Sequence, residues 1–334
     1  MGPRGYSLLL QTGETADGIL PLVDRQHPHD ALIELSASFR AEIDEGVWAF
    51  LYAAPVGSPA LGPEPYMHRP SGALNPVAPI SHHFLDATHV THGVLTAGVF
   101  NDRLKAEASW FKGREPDIDR WVPDAPALDS WAVRLTLMPG SSWAMQGSFA
   151  ALDEPERLHP ALDIYRSTLS VMHHAELAPD LSLSTTLAWG RNDRPRTTMT
   201  IAEARTRLSP PLLEHYLGVA QLPPGAEDSL LLLFDKRTQS AVLAESTLSW
   251  GRARVFARLE RARKDELFPP PDLRHSTPYW VSKLDGGLVG EVASAGGVRM
   301  ALGASASVYW LPDDLAAAYG DASRAWMLFA RIDL

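Results

Sequence analysis

Histidines with nearby carboxylates are the residues of this chain best suited to chemistry, because most of them lie in one region. Of the twelve histidines, seven fall between residues 27 and 92. Borderline metals such as Zn²⁺, Cu²⁺ and Ni²⁺ bind imidazole nitrogens and carboxylate oxygens. The spacing of these groups predicts a transition-metal site near the start of two strands, with the candidate ligands His27, His29, Asp30, His82, His83, Asp86, His89 and His92.

The same histidines also have a purely structural interpretation. The sequence His27-Pro28-His29-Asp30 matches no established ligand spacing, unlike the paired histidines of the HExxH motif. Histidines in loops also stabilise those loops by hydrogen bonding to backbone carbonyls. Both interpretations stay open at this stage, and Zn²⁺, Cu²⁺ or Ni²⁺ are the only cofactors that the sequence suggests.

Other kinds of chemistry have little support in the sequence. The chain has no cysteine, so disulfides and thiolate metal sites are excluded. It contains no GxSxG elbow, Walker loop or Rossmann glycine pattern, so we expect no enzyme. A Ser-His-acid hydrolase acting on lipid or ester stays an alternative, although no spacing singles one out. The net charge of −10 and the scattered basic residues argue against nucleic-acid binding.

Alternation of apolar and polar side chains is the main structural signal. In the last nine residues, one face carries Trp326, Leu328, Ala330, Ile332 and Leu334, and the other carries Met327, Phe329, Arg331 and Asp333. Similar two-faced segments recur along the chain and predict β-strands. One such strand is equally typical of a soluble β-sandwich, whereas apolar faces rich in Ala and Gly favour contact with lipid.

The connections between these segments alternate between short turns and long loops. We count thirteen strands between residues 31 and 334, and no run of about 18 apolar residues that would form a membrane-spanning helix. This rhythm is typical of an all-β fold, the transmembrane antiparallel up-and-down β-barrel, with tight periplasmic turns and large outer loops. Residues 1–30 and 57–88 are then outer loop segments. A partly helical extracellular insertion spans about 192–239, with its helices broken at Pro210-Pro211.

Charged residues on the polar faces would project into the interior of such a barrel. Rings of charge set the ion preference of pores, while opposed charges also brace a filled interior, and the sequence leaves both roles open. The predicted interior residues are Lys105, Glu107, Arg134, Arg252, Arg254, Arg258, Glu260, Arg299 and Arg331.

Several loop and strand segments resemble those of a poorly characterised family of Gram-negative outer-membrane β-barrel proteins. The segments are Arg4–Glu14, Pro21–Asp30, Met67–Ser71, Pro79–His83, Gly113–Asp117, Trp189–Asn192 and Lys264–Leu267. The resemblance covers nearly the whole chain and implies about three further strands before residue 1, for a total near sixteen. It implies no particular reaction. An odd number of strands and the lack of a signal peptide at Met1 agree with an N-terminal part missing from this chain.

The sequence therefore predicts a channel or transport protein for small polar solutes in the bacterial outer membrane. A metal-binding protein using a His-rich outer rim is the alternative, and a barrel-wall hydrolase is the second alternative. The expected partners are outer-membrane lipid, the barrel assembly machinery through the C-terminal strand, and a small polar solute or metal ion. Nucleic acid is not expected.

Overall fold

The computed structural model describes residues 32–116, 121, 124–156, 161–218, 225–265, 267–268, 272–319 and 324–333. The segment 1–30, with the candidate ligands His27, His29 and Asp30, lies outside these residues. Among the described residues no helix has the length and apolar character needed to cross a membrane.

β-Strands account for most of the described chain. The strands are β1 (Leu35–Asp44), β2 (Val47–Gly57), β3 (Thr91–Phe100), β4 (Leu104–Phe111), β5 (Ser130–Gly140), β6 (Trp143–Leu152), β7 (Ile164–Ala178), β8 (Leu181–Arg194), β9 (Thr197–Thr200), β10 (Leu230–Phe234), β11 (Arg237–Trp250), β12 (Ala253–Lys264), β13 (Tyr279–Ala295), β14 (Val298–Trp310) and β15 (Arg324–Asp333). All except β9 and β10 form one 13-stranded sheet in which each strand pairs with its neighbours in the chain. Every pairing is antiparallel, so the predicted up-and-down, barrel-type fold of thirteen strands is confirmed.

The sheet has two different edges. Turns of a few residues join β1 to β2, β3 to β4, β5 to β6, β7 to β8, β11 to β12 and β13 to β14, and we call this side the short-turn edge. Gly46 and Gly251 occupy two of these turns with φ of 68° and 55°, a conformation that glycine adopts without steric cost. The long connections lie at the opposite edge, which we call the long-loop edge.

The two faces of the sheet differ in polarity. Large apolar side chains at alternate positions are exposed on the outer face, including Leu187, Val242, Leu259, Leu288, Leu302 and Leu328. The intervening positions of the same strands point to the inner face and are polar and buried, including Thr186, Glu245, Arg258, Asp285 and Ser307. A sheet with its apolar face exposed and its polar face buried is the inverse of a soluble sandwich, and it fits lipid outside and a polar interior.

The connection between β2 and β3 covers the inner face. We call residues 58–90 the inner segment; it contains the short helix α1 (His82–Leu85). The sequence placed this stretch among the outer loops, but the segment lies inside, where strand side chains as distant as Ser109 and Arg331 hydrogen-bond its backbone. The reason is that its many backbone polar groups find partners among the charged and hydroxyl side chains of the wall.

Apolar packing fills the long-loop half of the interior. The insertion after β8 contains α2 (Ile201–Arg207), α3 (Pro210–Leu217) and the antiparallel pair β9 and β10, which flank the two helices in the chain. Leu212, Leu233 and Phe234 of this insertion pack in one cluster with Phe111 and Leu152 of the inner wall. A fourth helix, α4 (Asp313–Tyr319), follows β14, and its Leu315 joins the cluster around α1.

The helices of the insertion are not broken where the sequence suggested. Pro210 and Pro211 begin α3 instead of interrupting it, because proline is well tolerated in the first turn, where its missing N–H would have no helical partner. The actual break lies at Leu208 and Ser209. Helix α2 starts with a capping box between Thr200 and Glu203.

A charge introduced on the outer face should destabilise the protein more the nearer it lies to the middle of the membrane. We expect Val242→Arg, near the middle of β11, to lower the free energy of unfolding of the vesicle-refolded protein by about 2–4 kcal/mol. Trp250→Arg, on the same face at the end of the same strand, should cost about 0–1 kcal/mol because the side chain reaches the interface. Denaturant titration measures both, and equal effects would argue against lipid on this face.

Candidate functional site

A buried ion network attaches the inner segment to the wall. The Arg69 side chain donates from Nη1 to Oδ2 of Asp86 and from Nε to Oε1 of Glu245 on β11, both at 2.7 Å. All three side chains are almost completely buried. Ser71 adds hydrogen bonds of 3.0 Å to Glu245 and 2.6 Å to Thr186 of β8. The guanidinium therefore joins two parts of the inner segment to the barrel wall.

The network continues across three neighbouring strands. Arg258 of β12 donates from Nε to Oε2 of Glu245 at 2.9 Å and from Nη1 to the carbonyl of Val77 at 2.7 Å. Lys283 of β13 forms an ion pair with Asp285 at 2.9 Å. Alternating charges thus neutralise each other along the wall, and their remaining donors bind the backbone of the inner segment.

Glu260 receives the end of the inner segment that leads into α1. Its carboxylate accepts hydrogen bonds from the backbone N–H groups of Ile80 and Ser81 at 3.2 and 3.0 Å, and from Oγ of Ser81 at 2.6 Å. Three donors on one carboxylate fix the register of the segment just before the two histidines His82 and His83.

The charge state of Asp86 is set by its neighbours. Burial raises the pKa of Asp86, but the charges of Arg69 and His82 and a hydrogen bond from His82 lower it more, so the pKa lies well below its usual range. The carboxylate is therefore ionised across the physiological pH range and holds Arg69 in place.

The predicted interior charges lie on inner-face positions of strands, except Arg252 in the turn before β12, and their surroundings differ. Arg258 and Glu260 belong to the buried network. Glu107 pairs with Arg134 at 3.0 Å and with Lys105 at 2.7 Å. The side chains of Arg134 and Arg331 also donate to the inner segment, at the carbonyls of Gly62 and Ala73. Three predicted residues, Arg252, Arg254 and Arg299, lie near the short-turn edge and are at least partly exposed.

The predicted metal ligands of the inner segment are buried, and two of the histidines interact with Asp86. His82 contacts Oδ1 of Asp86 through Nδ1 at 2.8 Å, and His89 contacts its backbone oxygen through Nδ1 at 2.7 Å. His92 is buried at the start of β3. The sequence predicts a histidine-rich outer rim, and these side chains are buried instead of exposed because the inner segment folds inward.

His83 instead meets two glutamates that the sequence did not indicate as ligands. Its Nδ1 lies 3.6 Å from Oε1 of Glu115 and 3.7 Å from Oε1 of Glu156. Ligand atoms of the three residues all lie within 4.8 Å of one another, and they form the group of potential metal ligands found among the described residues. We call these three residues the mouth cluster.

Several segments hold the mouth cluster in place. Asn192 of β8 donates to the carbonyl of His83 at 3.0 Å. Gly190, two residues earlier, allows α1 to approach the strand, since a Cβ atom there would lie 2.2 Å from the Phe84 carbonyl oxygen. The backbone N–H of Glu115 donates to the carbonyl of Pro155 at 3.2 Å, which brings the loop after β4 beside the loop that carries Glu156.

Sequence reasoning missed Glu115, Glu156 and the partners of Asp86. Glu115 lies in the Gly113–Asp117 segment and Arg69 in the Met67–Ser71 segment, both noted for their resemblance, so that signal pointed to them without giving a role. No sequence pattern indicated Glu156 or Glu245. Their roles arise from contacts between residues far apart in the chain.

A polar cavity of about 590 Å³ lies at the short-turn edge, below the inner segment. It is lined in part by Ser71, Ser184 and His174, and His174 contacts Ser184 Oγ and Glu176 Oε1 at 2.9 Å each. This Ser-His-Glu chain of hydrogen bonds does not favour a hydrolase, because Ser184 lies within a paired strand whose neighbouring N–H groups are used in the sheet. Glu176 is also 68% exposed.

Comparison with solved structures gives distant likenesses. No family model and no curated protein matches the chain. Among solved structures, a porin refined at 1.8 Å shares 12% identity with a TM-score of 0.41, covering 89% of this chain and 91% of that one. Salmonella typhi OmpF in complex with daunomycin shares 7% identity with a TM-score of 0.45, covering 90% and 89%. Acinetobacter baumannii OccAB1 shares 11% identity with a TM-score of 0.37, covering 89% and 86%. Likenesses this distant carry no argument about what the chain binds or transports.

The Asp86 carboxylate should make a large contribution to stability. We expect Asp86→Asn to lower the free energy of unfolding by about 3–5 kcal/mol, because it leaves Arg69 buried with one partner fewer. A pKa lowered in the folded state stabilises the fold above the unfolded-state pKa of about 3.9, and this stabilisation is lost as pH falls towards the folded-state value. Denaturant titrations between pH 3 and 7 should therefore show a weaker loss of stability on acidification for Asp86→Asn than for the unchanged protein. Asp102→Asn, in an exposed turn, is the control, and identical acid limbs for all three proteins would contradict the assignment.

Proposed function

We propose that this protein is an outer-membrane β-barrel channel for small polar solutes, narrowed by its inner segment. The observation that carries the proposal is the polarity of the sheet, with exposed apolar side chains outside and buried ionised side chains inside. Such a distribution is stable where lipid contacts the outer face and water or protein contacts the inner face.

The inner segment acts as the constriction of this channel. It is bound to side chains of β4, β5, β6, β7, β8, β11, β12, β13 and β15. Apolar packing around α1 and the insertion narrows the long-loop half further. The open space lies below, in the polar cavity at the short-turn edge. A path this narrow favours small solutes and a low conductance.

Positive charge near the short-turn edge would favour anionic solutes. Arg254 lies on β12 and Arg299 on β14, both at inner-face positions, and Arg252 lies in the turn before β12. The carboxylate nearest to Arg252 is Glu291, 3.9 Å from its Nε. Asp333 of β15 lies opposite Arg299, so these three arginines are matched by two carboxylates, and an exposed excess of one sign favours the opposite ion.

Releasing the inner segment should open the channel. We expect Arg69→Asp to raise single-channel conductance in planar bilayers several-fold, because a third carboxylate beside Asp86 and Glu245 expels the segment from the wall. Arg205→Asp, with the same charge change on an exposed position of α2, should conduct like the unchanged protein. Heat-modifiable gel mobility establishes that each variant is folded. A folded Arg69→Asp variant with unchanged conductance would exclude the inner segment as the constriction.

Reversing the charge of the short-turn edge should change ion preference. In a KCl gradient, Arg254→Glu/Arg299→Glu should shift the reversal potential towards cation selectivity relative to the unchanged protein. The control Arg205→Glu removes the same kind of charge on an exposed position of α2, away from the wall. An unchanged reversal potential in the double variant would show that these arginines do not face the permeation path.

A further inference from the structure

The mouth cluster has the composition of a metal site. It offers one imidazole nitrogen and two carboxylate oxygens, from His83, Glu115 and Glu156. Neighbouring ligand atoms around a tetrahedral Zn²⁺ lie about 3.4 Å apart, given metal–ligand distances of about 2.1 Å. The observed separations of 3.6 and 3.7 Å from His83 to the two glutamates need only small adjustments to reach that geometry.

The three donors lie in a protected environment. Their side chains are only 9–12% exposed, so the two carboxylates have lost most of their contact with water. Buried carboxylates need compensating positive charge, because desolvation of an ion costs several kcal/mol. Exposed acidic groups on a loop surface would not carry this requirement.

A buried guanidinium is linked to the mouth cluster through Asn192. Arg166, a fully buried side chain of β7, hydrogen-bonds Asn192, whose side chain also donates to the carbonyl of His83. Two of the Arg166 nitrogens are used by Asn192 and Thr88 at 3.0 Å each, while Nη2 has no hydrogen-bond partner among the described residues. The buried Nη2 is a donor that an interior water molecule can satisfy.

The donors also come from three separate parts of the chain. His83 lies in the inner segment, Glu115 follows β4 and Glu156 follows β6. An ion bound by all three would join the inner segment to two loops at the long-loop edge. Ser71 of the same segment lies near the opposite, short-turn edge. Such a site is formed only in the folded protein, so metal binding would stabilise this arrangement.

We propose that His83, Glu115 and Glu156 bind one divalent first-row transition-metal ion, with Zn²⁺ or Cu²⁺ as the expected class. Imidazole and carboxylate ligands suit these borderline ions, whereas Mg²⁺ and Ca²⁺ prefer sites made of oxygen alone. The site goes beyond the channel function, and neither depends on the other.

Calorimetric titration of the purified, folded protein with Zn²⁺ and with Cu²⁺ tests the site, with Mg²⁺ as the negative control. We expect one site per chain, weakened at least about tenfold in Glu115→Gln and in Glu156→Gln, since losing a direct ligand costs no less than losing a supporting one. The control His174→Ala removes an exposed histidine–glutamate pair at the opposite edge and should leave this site unchanged. A His27→Ala/His29→Ala variant distinguishes ions bound by the N-terminal histidines.

Limited proteolysis provides a second measurement of Zn²⁺ binding that does not use binding heats. Zn²⁺ should protect the loop after β4 from cleavage in the unchanged protein and in His174→Ala, but not in Glu115→Gln. If the glutamine variants bind Zn²⁺ and Cu²⁺ as tightly as the unchanged protein, or if the protein lacking His27 and His29 binds neither ion, the site does not exist.

Discussion

The pairing of Arg69 with Asp86 and Glu245 is the interaction on which the rest of the structure depends. An inner segment of more than thirty residues must lose water from its backbone to lie against the wall, and the wall must lose water from its charges. The backbone of the segment and the charges of the wall replace each other's lost water, because the arginines and carboxylates that neutralise one another also bind the segment. Removing one charge leaves its partners buried without compensation.

This pairing also determines where His83 and Ser71 of the inner segment lie. The network and Glu260 fix the register of the inner segment up to Ser81, and α1 then presses against Gly190 of β8. His83 is thereby carried to the long-loop edge, beside the glutamates of two loops, while Ser71 stays near the polar cavity at the short-turn edge. A channel constriction and a metal site can therefore share one structural element without sharing residues.

The strands of the sheet can be predicted from the sequence, but the inner segment and its contacts with the wall cannot. Period-two alternation and the rhythm of turns predicted thirteen strands, because each strand's faces depend on local side-chain order. For the inner segment the sequence predicts an outer loop, since nothing local distinguishes a proline-rich loop that folds inward from one that folds outward. Likewise Asp86 was expected to bind metal but pairs with Arg69, and Glu156 was missed because its role depends on a contact with His83, more than seventy residues away.

A designed disulfide tests the central claim, that the inner segment is bound inside the wall, most directly. The chain has no cysteine, and Oγ of Ser71 lies 2.6 Å from Oγ1 of Thr186 on β8. In the folded Ser71→Cys/Thr186→Cys variant, mild oxidation should form one intramolecular disulfide nearly completely, and neither cysteine should then react with a maleimide. If both cysteines stay reduced and both react with the maleimide in the folded protein, the inner segment does not lie against the wall.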